Sequence, residues 1–278
     1  MNKYILGVIQ MDSTADVDEN LHQVELYAQE AVSRGAKVLA LPESMNYVGN
    51  ESAAFAEQIP GGKTFQFLSR LAKLHKIWIH GGSIYEKCAT DPRPYNSTMI
   101  LNPNGELVTK YHKLHPFDVI IKNGPAVKES DRICPGEGIV TMDAGNYGHW
   151  GLSICYDLRF AELYRIMALE GAQILFVPAD FTMNTGKDHW EPLLRTRAIE
   201  NGCYVVAPAQ YGMKPRFQAY GKSMIIDPWG NVIAKAPDEP CVITAEINFD
   251  YLDKVRKQIF TLENRRPDIY HLCRMNEV

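Results

Sequence analysis

Residues 151–165 read Gly-Leu-Ser-Ile-Cys-Tyr-Asp-Leu-Arg-Phe-Ala-Glu-Leu-Tyr-Arg, and this stretch decides how the chain folds. An apolar run over residues 149–154 is typical of a buried strand, and from residue 160 the apolar side chains recur at helical spacing. Cys155 therefore lies where a strand turns into a helix, the place where open α/β sheets gather ligands and reacting groups. Backbone N–H groups and the positive end of a helix favour the thiolate of a cysteine there.

The order of predicted elements in the first half of the chain returns in the second half. Each half contains strand, helix, strand, helix, strand and a hairpin, with an Asx-Pro-x-Gly turn at residues 102–105 and again at residues 227–230. The predicted strands cover residues 3–10, 37–41, 76–80, 95–101, 106–110, 149–155, 173–177, 203–207, 222–226 and 231–235, and the predicted helices cover residues 18–34, 64–75, 160–170 and 189–200.

The repeat predicts the architecture. Strands that are near-continuous apolar runs need both faces covered, and helices can cover one face while a second sheet covers the other. We therefore expect an α/β fold, a four-layer α-β-β-α sandwich with a pseudo-twofold internal repeat, in one domain over residues 1–278. A last strand is predicted at residues 241–247 and a short helix at residues 251–257. Residues 249–278 carry apolar side chains and are expected to pack on the body or on a partner chain, with a disordered tail as the alternative.

Composition limits the class of protein. Hydrophobic residues make up 46% and charged residues 22% of the 278 residues, and the formal net charge is -4. This slightly negative net charge does not indicate binding to nucleic acid or to an anionic membrane, and no apolar run is long enough to span a bilayer. The six cysteines include no CxxC pair, and the N-terminus leads into a strand rather than a signal segment. We expect a cytoplasmic protein with free thiols and neither metal nor cofactor.

Two charged residues can act together with Cys155. Glu43 follows the apolar run of residues 38–41, and burial at the end of a strand would make its carboxylate a stronger base. Lys113 follows the first hairpin, among aromatic and proline residues that can hold its ammonium inward, and the long loop after it is typical of a functional segment. Each residue also has a simpler interpretation: a buried inert cysteine, a loop carboxylate and a solvated lysine.

Three motifs in this order resemble the nitrilase (carbon-nitrogen hydrolase) superfamily, in particular its Nit-type amidase branch. The likeness covers essentially the whole chain. The motifs are Leu41-Pro-Glu43-Ser, Tyr111-His-Lys113-Leu-His and Gly151-Leu-Ser-Ile-Cys155-Tyr-Asp-Leu-Arg-Phe-Ala-Glu, with support from His189-Trp-Glu, Arg195-Thr-Arg-Ala-Ile-Glu-Asn201 and Asp227-Pro-Trp-Gly. The resemblance implies an αββα sandwich and a catalytic triad of Glu43, Lys113 and Cys155. It implies a second glutamate near the triad, for which Glu129 is favoured over Glu137.

The resemblance also implies how a substrate is held. Lys113 and the backbone N–H of Tyr156 would stabilise the oxyanion of a tetrahedral intermediate. One departure from the family pattern is visible, because Asp180 stands before Phe181 where an alanine is expected. That position should face the pocket, so the departure concerns the identity of the substrate rather than the chemistry. We expect Tyr47, Asp180 and Phe181 to contact the substrate.

By resemblance, the activity is the hydrolysis of a small linear carboxamide to acid and ammonia through a thioester. The nearest families act on deaminated glutathione or, as omega-amidases, on alpha-ketoglutaramate and alpha-ketosuccinamate, and residues 195–201 and 207–212 look more like the former. Both substrate classes carry a distal carboxylate, for which Lys214, Arg216 and Arg159 are candidate partners. Because members of the superfamily commonly dimerise, we expect a homo-oligomer, a dimer or larger.

Two alternatives stay open. A Cys-His hydrolase would use one of the histidines near the motifs as its base: His112, His115 or His149. A scaffold that keeps the fold without turnover belongs to a different class, and only the presence or absence of amide hydrolysis separates it from an enzyme.

Overall fold

The computed structural model describes residues 2–120 and 126–275. The helices are α1 (Val17–Ser33), α2 (Lys63–His75), α3 (Ala161–Leu169), α4 (Met183–Asn201) and α5 (Phe249–Arg256). The strands are β1 (Lys3–Gln10), β2 (Ala36–Ala40), β3 (Trp78–His80), β4 (Ile84–Glu86), β5 (Tyr95–Leu101), β6 (Leu107–His112), β7 (Asp118–Ile120), β8 (Ala126–Lys128), β9 (Thr141–Asp143), β10 (His149–Leu152), β11 (Ile174–Phe176), β12 (Tyr204–Ala207), β13 (Tyr211–Met213), β14 (Gln218–Tyr220), β15 (Met224–Ile226), β16 (Val232–Lys235) and β17 (Cys241–Asn248).

The strands form two main sheets with the same internal order. The first sheet runs β17-β1-β2-β3-β5-β4, with β6 paired to β5, and the second runs β16-β15-β12-β11-β10-β9. In each sheet three parallel strands (β1-β2-β3 and β10-β11-β12) are followed by an antiparallel hairpin (β5-β6 and β15-β16). In each sheet an antiparallel strand, β17 or β9, pairs with the first parallel strand. The predicted internal repeat and α/β sandwich are confirmed.

Alternate residues of the strands separate the layers. Val38 and Ala40 of β2 belong to the core shared by the two sheets, whereas Leu39 and Leu41 belong to the core beneath α1 and α2. Side-chain direction alternates along a strand, so a strand that is apolar throughout must be buried on both faces. Rings from both sheets meet between them, as where Trp78 packs edge-on against Trp150 with ring centroids 5.5 Å apart.

Several predicted boundaries differ from the structure by one or more residues, and three of these differences have a clear local cause. The strand predicted at residues 149–155 ends at Leu152, because the backbone turns into a short 3₁₀ helix at Cys155. The strand predicted from residue 76 begins two residues later, because Lys76 takes a left-handed conformation that ends α2. Helix α4 begins at Met183 rather than at residue 189 and contains Pro192 in its interior. Packing of its buried side chains outweighs the helix-breaking tendency of proline.

The C-terminal segment packs on the body only in part. Helix α5 buries Leu252 and Val255, whereas Ile269 and Tyr270 in the following tail are more than half exposed. Arg274 forms an ion pair with Glu170. Residues 276–278 of the predicted tail lie outside the described residues. Over the described ranges, no helix combines the length and hydropathy needed to cross a bilayer.

Candidate active site

Cys155 lies at the start of the 3₁₀ helix Cys155–Arg159, directly beyond the carboxyl end of β10. Its φ is +50°, in the left-handed region that residues other than glycine rarely adopt. The Cys155 N–H donates to the carbonyl oxygen of Pro178 over 2.9 Å. Backbone strain of this kind persists only where the surroundings fix it, and it is concentrated at functional sites. The thiol is 8% exposed.

Three charged side chains from separate parts of the chain meet beside this thiol. Glu43 follows β2, Lys113 follows β6, and Glu129 begins a short 3₁₀ helix after β8. The Lys113 ammonium donates to Glu43 Oε1 over 3.1 Å and to Glu129 Oε2 over 2.9 Å. Glu43 also lies close enough to the Cys155 thiol to raise the pKa of the thiol through its side chain. The structure thus brings together the four residues that the sequence predicts, whereas Glu137 is exposed to solvent.

The charges around the thiol decide its resting form. Burial raises the pKa of the Cys155 thiol well above its usual value, and the negative charge of Glu43 raises it further, while Lys113 acts in the opposite direction. The expectation that the junction favours a thiolate is therefore wrong, because burial and the carboxylate outweigh the helix terminus. Burial by itself would lower the pKa of Lys113, but Glu129 and Glu43 outweigh it and hold this pKa well above its usual value. A fixed positive charge thus lies beside a thiol and a carboxylate that can exchange a proton.

Hydrogen bonds hold the Glu43 carboxylate in one orientation. Asn96 Nδ2 donates to Oε1 over 2.8 Å, and the backbone N–H of Asp180 donates to Oε2 over 2.8 Å. The carbonyl of Asn96 also accepts the Lys113 N–H over 2.9 Å, so one residue positions both partners. Sequence reasoning missed Asn96, because it lies far from the three motifs and only the pairing of β5 with β6 brings it to the site.

Asp157 fixes the loop that carries the nucleophile. Its fully buried carboxylate accepts hydrogen bonds from the Tyr111 hydroxyl (2.7 Å), the Ile154 N–H (2.8 Å) and His115, through both the backbone N–H (3.1 Å) and Nδ1 (2.7 Å). Four bonds to one buried carboxylate tie the segments before and after Cys155 to the Lys113 segment. Asp157 lies two residues after Cys155 in the same motif, and this position could have identified it from the sequence.

A cavity of about 450 Å³ opens over Cys155. Its wall contains the four charged and thiol groups described above, together with Tyr85. The exposed residues of the wall, which form its rim, are Asn50, Lys128, Asp131, Arg132, Pro215 and Arg216. A cavity of this size suits a small molecule.

The predicted substrate contacts are placed as follows. Asp180, Phe181 and Tyr156 line the cavity, as expected. The prediction for Tyr47 is wrong. Its ring is buried and stacks on Phe55 with centroids 3.9 Å apart, outside the cavity wall. The residues that follow it, at positions 48–50, form that part of the wall instead.

The three candidate cations differ in their surroundings. Lys214 lines the cavity, but its buried ammonium already donates to Asp12 Oδ1 (2.8 Å), the Ser13 carbonyl (3.1 Å) and Gln210 Oε1 (3.1 Å). Its donors are therefore used within the protein. Arg216 lines the cavity at its exposed rim and forms no ion pair within the described part of the chain. Arg159 does not line the cavity, since its guanidinium lies over the ring of Phe181 at 5.5 Å.

The candidate histidine bases have other partners or positions. His112 Nε2 lies 2.9 Å from Glu86 Oε2, and His115 Nδ1 is bonded to Asp157. His149 lies at the start of β10, at the end of that strand opposite to Cys155. No histidine of the described residues lines the cavity. No histidine in the described part of the chain is therefore placed to act as the base of a Cys-His mechanism.

The fold and the site define a class of hydrolase, and a comparison with family models identifies it. The model described as carbon-nitrogen hydrolase matches residues 5–257. The chain belongs to this family, as the sequence motifs predicted. It is a hydrolase of carbon–nitrogen bonds other than peptide bonds.

Individual relatives are similar over nearly the whole chain. A deaminated glutathione amidase from Synechocystis is 40% identical over 269 residues, which is 95% of this chain and 99% of the relative. An omega-amidase from Homo sapiens is 38% identical over 274 residues, 97% of this chain and 98% of the relative. Among solved structures, the C. elegans NitFhit protein superposes with a TM-score of 0.90 at 35% identity, covering 98% of this chain and 67% of that one. A nitrilase-superfamily member from Saccharomyces cerevisiae gives a TM-score of 0.87 at 30% identity, covering 95% and 97%.

Proposed function

We propose that this protein is a cysteine-dependent amidase, one catalytic domain over residues 1–278, that hydrolyses a small linear carboxamide to acid and ammonia. The observation that carries the proposal is the convergence of the Cys155 thiol, the Glu43 carboxylate and the Lys113 ammonium in one cavity. A nucleophile within hydrogen-bond reach of a base that is itself oriented by a third group is the arrangement that acyl transfer requires. The amidase names of the relatives support the same class.

The first half of the reaction forms a thioester. Glu43 takes the proton of the Cys155 thiol as the sulfur attacks the carboxamide carbon. Because the resting form is a thiol, this proton transfer is needed in every turnover. The Lys113 ammonium and the backbone N–H of Tyr156 stabilise the oxyanion, and fixed donors of this kind contribute about 3 to 4 kcal/mol each. Glu43 then gives the proton to the departing ammonia.

The second half releases the acid. Glu43 takes a proton from water, which attacks the thioester carbon, and the sulfur leaves with that proton. Glu129 holds Lys113 from the side opposite Glu43, so the ammonium stays charged and in place throughout. No step needs a metal or an organic cofactor.

The relatives suggest two substrate classes. The names deaminated glutathione amidase and omega-amidase both describe amides of small acids, and the motifs of residues 195–201 and 207–212 favour the former for this chain. The distal carboxylate of such substrates would reach the exposed rim of the cavity, where Arg216 lies. Phe181 and Asp180 would contact the substrate beside the scissile bond.

Amide hydrolysis tests the proposal directly. It is measured as ammonia release from primary amides and as release of cysteinylglycine from deaminated glutathione, which has no primary amide. The panel contains deaminated glutathione, alpha-ketoglutaramate, alpha-ketosuccinamate and simple aliphatic amides, and a hundredfold preference would assign the subclass. Cys155→Ala should abolish release while the circular dichroism spectrum stays unchanged. Replacement of His112, His115 or His149 by alanine should leave turnover in any variant that folds. A wild-type protein that hydrolyses no amide of the whole panel would instead support a scaffold.

Location and assembly are part of the proposal. All six cysteines are free thiols, which suits a reducing compartment such as the cytoplasm. The exposed apolar side chains of the C-terminal tail, Ile269 and Tyr270, are suited to contact a second copy in a homodimer or larger oligomer. Sedimentation equilibrium of the purified chain would measure the assembly size.

A further inference from the structure

Asp180 carries a carboxyl group that the proposed mechanism does not use. The side chain lines the cavity, and its buried Oδ1 has no hydrogen-bond partner among the described residues. Buried polar atoms in folded proteins are nearly always paired, because an unpaired one loses its hydration without compensation. An unpaired carboxyl oxygen in the wall of a cavity therefore indicates that a group of the bound ligand forms a hydrogen bond or ion pair with it.

This carboxyl lies next to the reacting atoms. The backbone N–H of Asp180 donates to Glu43 Oε2 over 2.8 Å and lies close enough to the Cys155 sulfur to lower the pKa of the thiol. The side chain of the same residue lines the same cavity as Cys155. Whatever group pairs with it belongs to the part of the substrate that directly adjoins the scissile amide.

The distribution of charge indicates the sign of that group. Glu43, Glu129 and Asp180 line the cavity together with two buried lysines. Lys113 pairs with the two glutamates, and Lys214, which pairs with Asp12, also acts on Asp180 through its charge. The three carboxyl groups outnumber these two ammonium groups. The exposed rim carries two guanidinium groups, on Arg132 and Arg216, that form no ion pair within the described ranges. The cavity is thus negative at its inner end and positive at its mouth.

We propose that Asp180 is the specificity-determining residue of this cavity and that it binds a primary ammonium group carried by the substrate next to the scissile amide. The preferred substrates are then zwitterionic amides, with the ammonium on Asp180 and the carboxylate at the arginines of the rim. This inference rests on the proposed amidase function, but it departs from the substrate preference that the names of the relatives suggest, because it ranks amino-acid amides above their deaminated or keto counterparts. Burial raises the pKa of Asp180 to about 7, and a bound ammonium favours its charged form.

Two pairs of amides that differ only in the ammonium group test the inference: L-isoglutamine with glutaramate, and L-isoasparagine with succinamate. In both α-amides the ammonium is on the carbon next to the scissile amide and the carboxylate is at the other end. For the wild-type protein, we expect kcat/KM to favour the ammonium-bearing member of a pair at least tenfold. Asp180→Asn and Asp180→Ala should reduce that ratio to within twofold, through loss on the ammonium-bearing member. General damage to the site would lower both members alike. The control Asp131→Asn removes another carboxylate of the cavity wall, one that is paired with Lys128, and should leave the ratio unchanged.

A preference that survives both Asp180 replacements, or a wild-type preference for the deaminated members, would overturn the inference while leaving amidase activity in place. If none of the four amides is hydrolysed, isothermal titration calorimetry with the Cys155→Ala variant measures their binding and tests the inference independently of catalysis. Binding of an ammonium-bearing member at least ten times more tightly, lost in the double variant with Asp180→Ala, supports the inference. Equal binding of both members, or no binding, refutes it.

Discussion

Replacing Glu43 by glutamine removes the proposed base with almost no change in shape. In the wild-type protein, three donors converge on this carboxylate, the Asn96 amide, the Lys113 ammonium and the Asp180 N–H, and the Cys155 thiol lies beside it. Glutamine keeps one acceptor oxygen, but it cannot take the thiol proton. Burial, the largest cause of the raised pKa of the Cys155 thiol, persists in the variant, although the replacement removes the contribution of the Glu43 charge.

The expected loss follows from the number of proton transfers. A positioned general base contributes roughly 10²- to 10⁴-fold, and Glu43 acts in both thioester formation and thioester hydrolysis. We therefore expect kcat/KM to fall about 10⁴-fold, which corresponds to about 5 kcal/mol of transition-state stabilisation. The fold should survive, because Lys113 keeps its ion pair with Glu129.

Hydrolysis of the best amide of the panel measures this loss, with thermal unfolding and circular dichroism as checks on folding. Glu137→Gln is the matched control, since it makes the same chemical change at an exposed glutamate and should leave kcat/KM within twofold. A folded Glu43→Gln protein that keeps more than a tenth of wild-type kcat/KM would refute the assignment of Glu43 as the base.

Three further predictions concern neighbouring groups. Because the pKa of the Cys155 thiol is raised, its alkylation by iodoacetamide should keep accelerating above pH 9; a plateau near pH 7 would contradict the resting thiol. Asn96→Ala removes a hydrogen bond to a buried carboxylate, worth about 1.5 to 3 kcal/mol, so kcat should fall roughly 10- to 100-fold with little change in KM; an unchanged kcat would exclude a positioning role. The pKa of Asp180 is about 7 in the folded protein against a usual 3.8, so the folded state binds that proton more tightly and stability falls as pH rises through this window. Asp180→Asn should therefore stabilise the protein by about 1 to 4 kcal/mol at pH 8 and by nothing below pH 4, measured by urea unfolding; equal curves at pH 8 would contradict it.

The sequence predicted the elements that are long or strongly patterned. The bounds of β1 and β5 agree with the prediction, and the six-element repeat follows from apolar runs and paired turns. Six of the three-residue strands escaped prediction: β4, β7, β8, β9, β13 and β14. A strand of three residues has too few side chains to show a period, and only its pairing with a neighbour defines it.

At the site, the sequence was enough to predict the residues of the motifs, because residue type, order along the chain and flanking apolar runs can all be read locally. It identified Glu43, Lys113, Cys155 and Glu129 before any coordinates, but it could not tell that Tyr47 stacks on Phe55 outside the cavity.

The tertiary structure alone decided how these groups behave. Asn96 reaches Glu43 only through the pairing of two strands, and Cys155 rests as a thiol only because burial and a carboxylate from another strand outweigh its helix terminus. The physical reason is that chemical identity belongs to a single residue, whereas hydrogen-bond partners and proton affinity depend on groups that are distant along the chain and close in space.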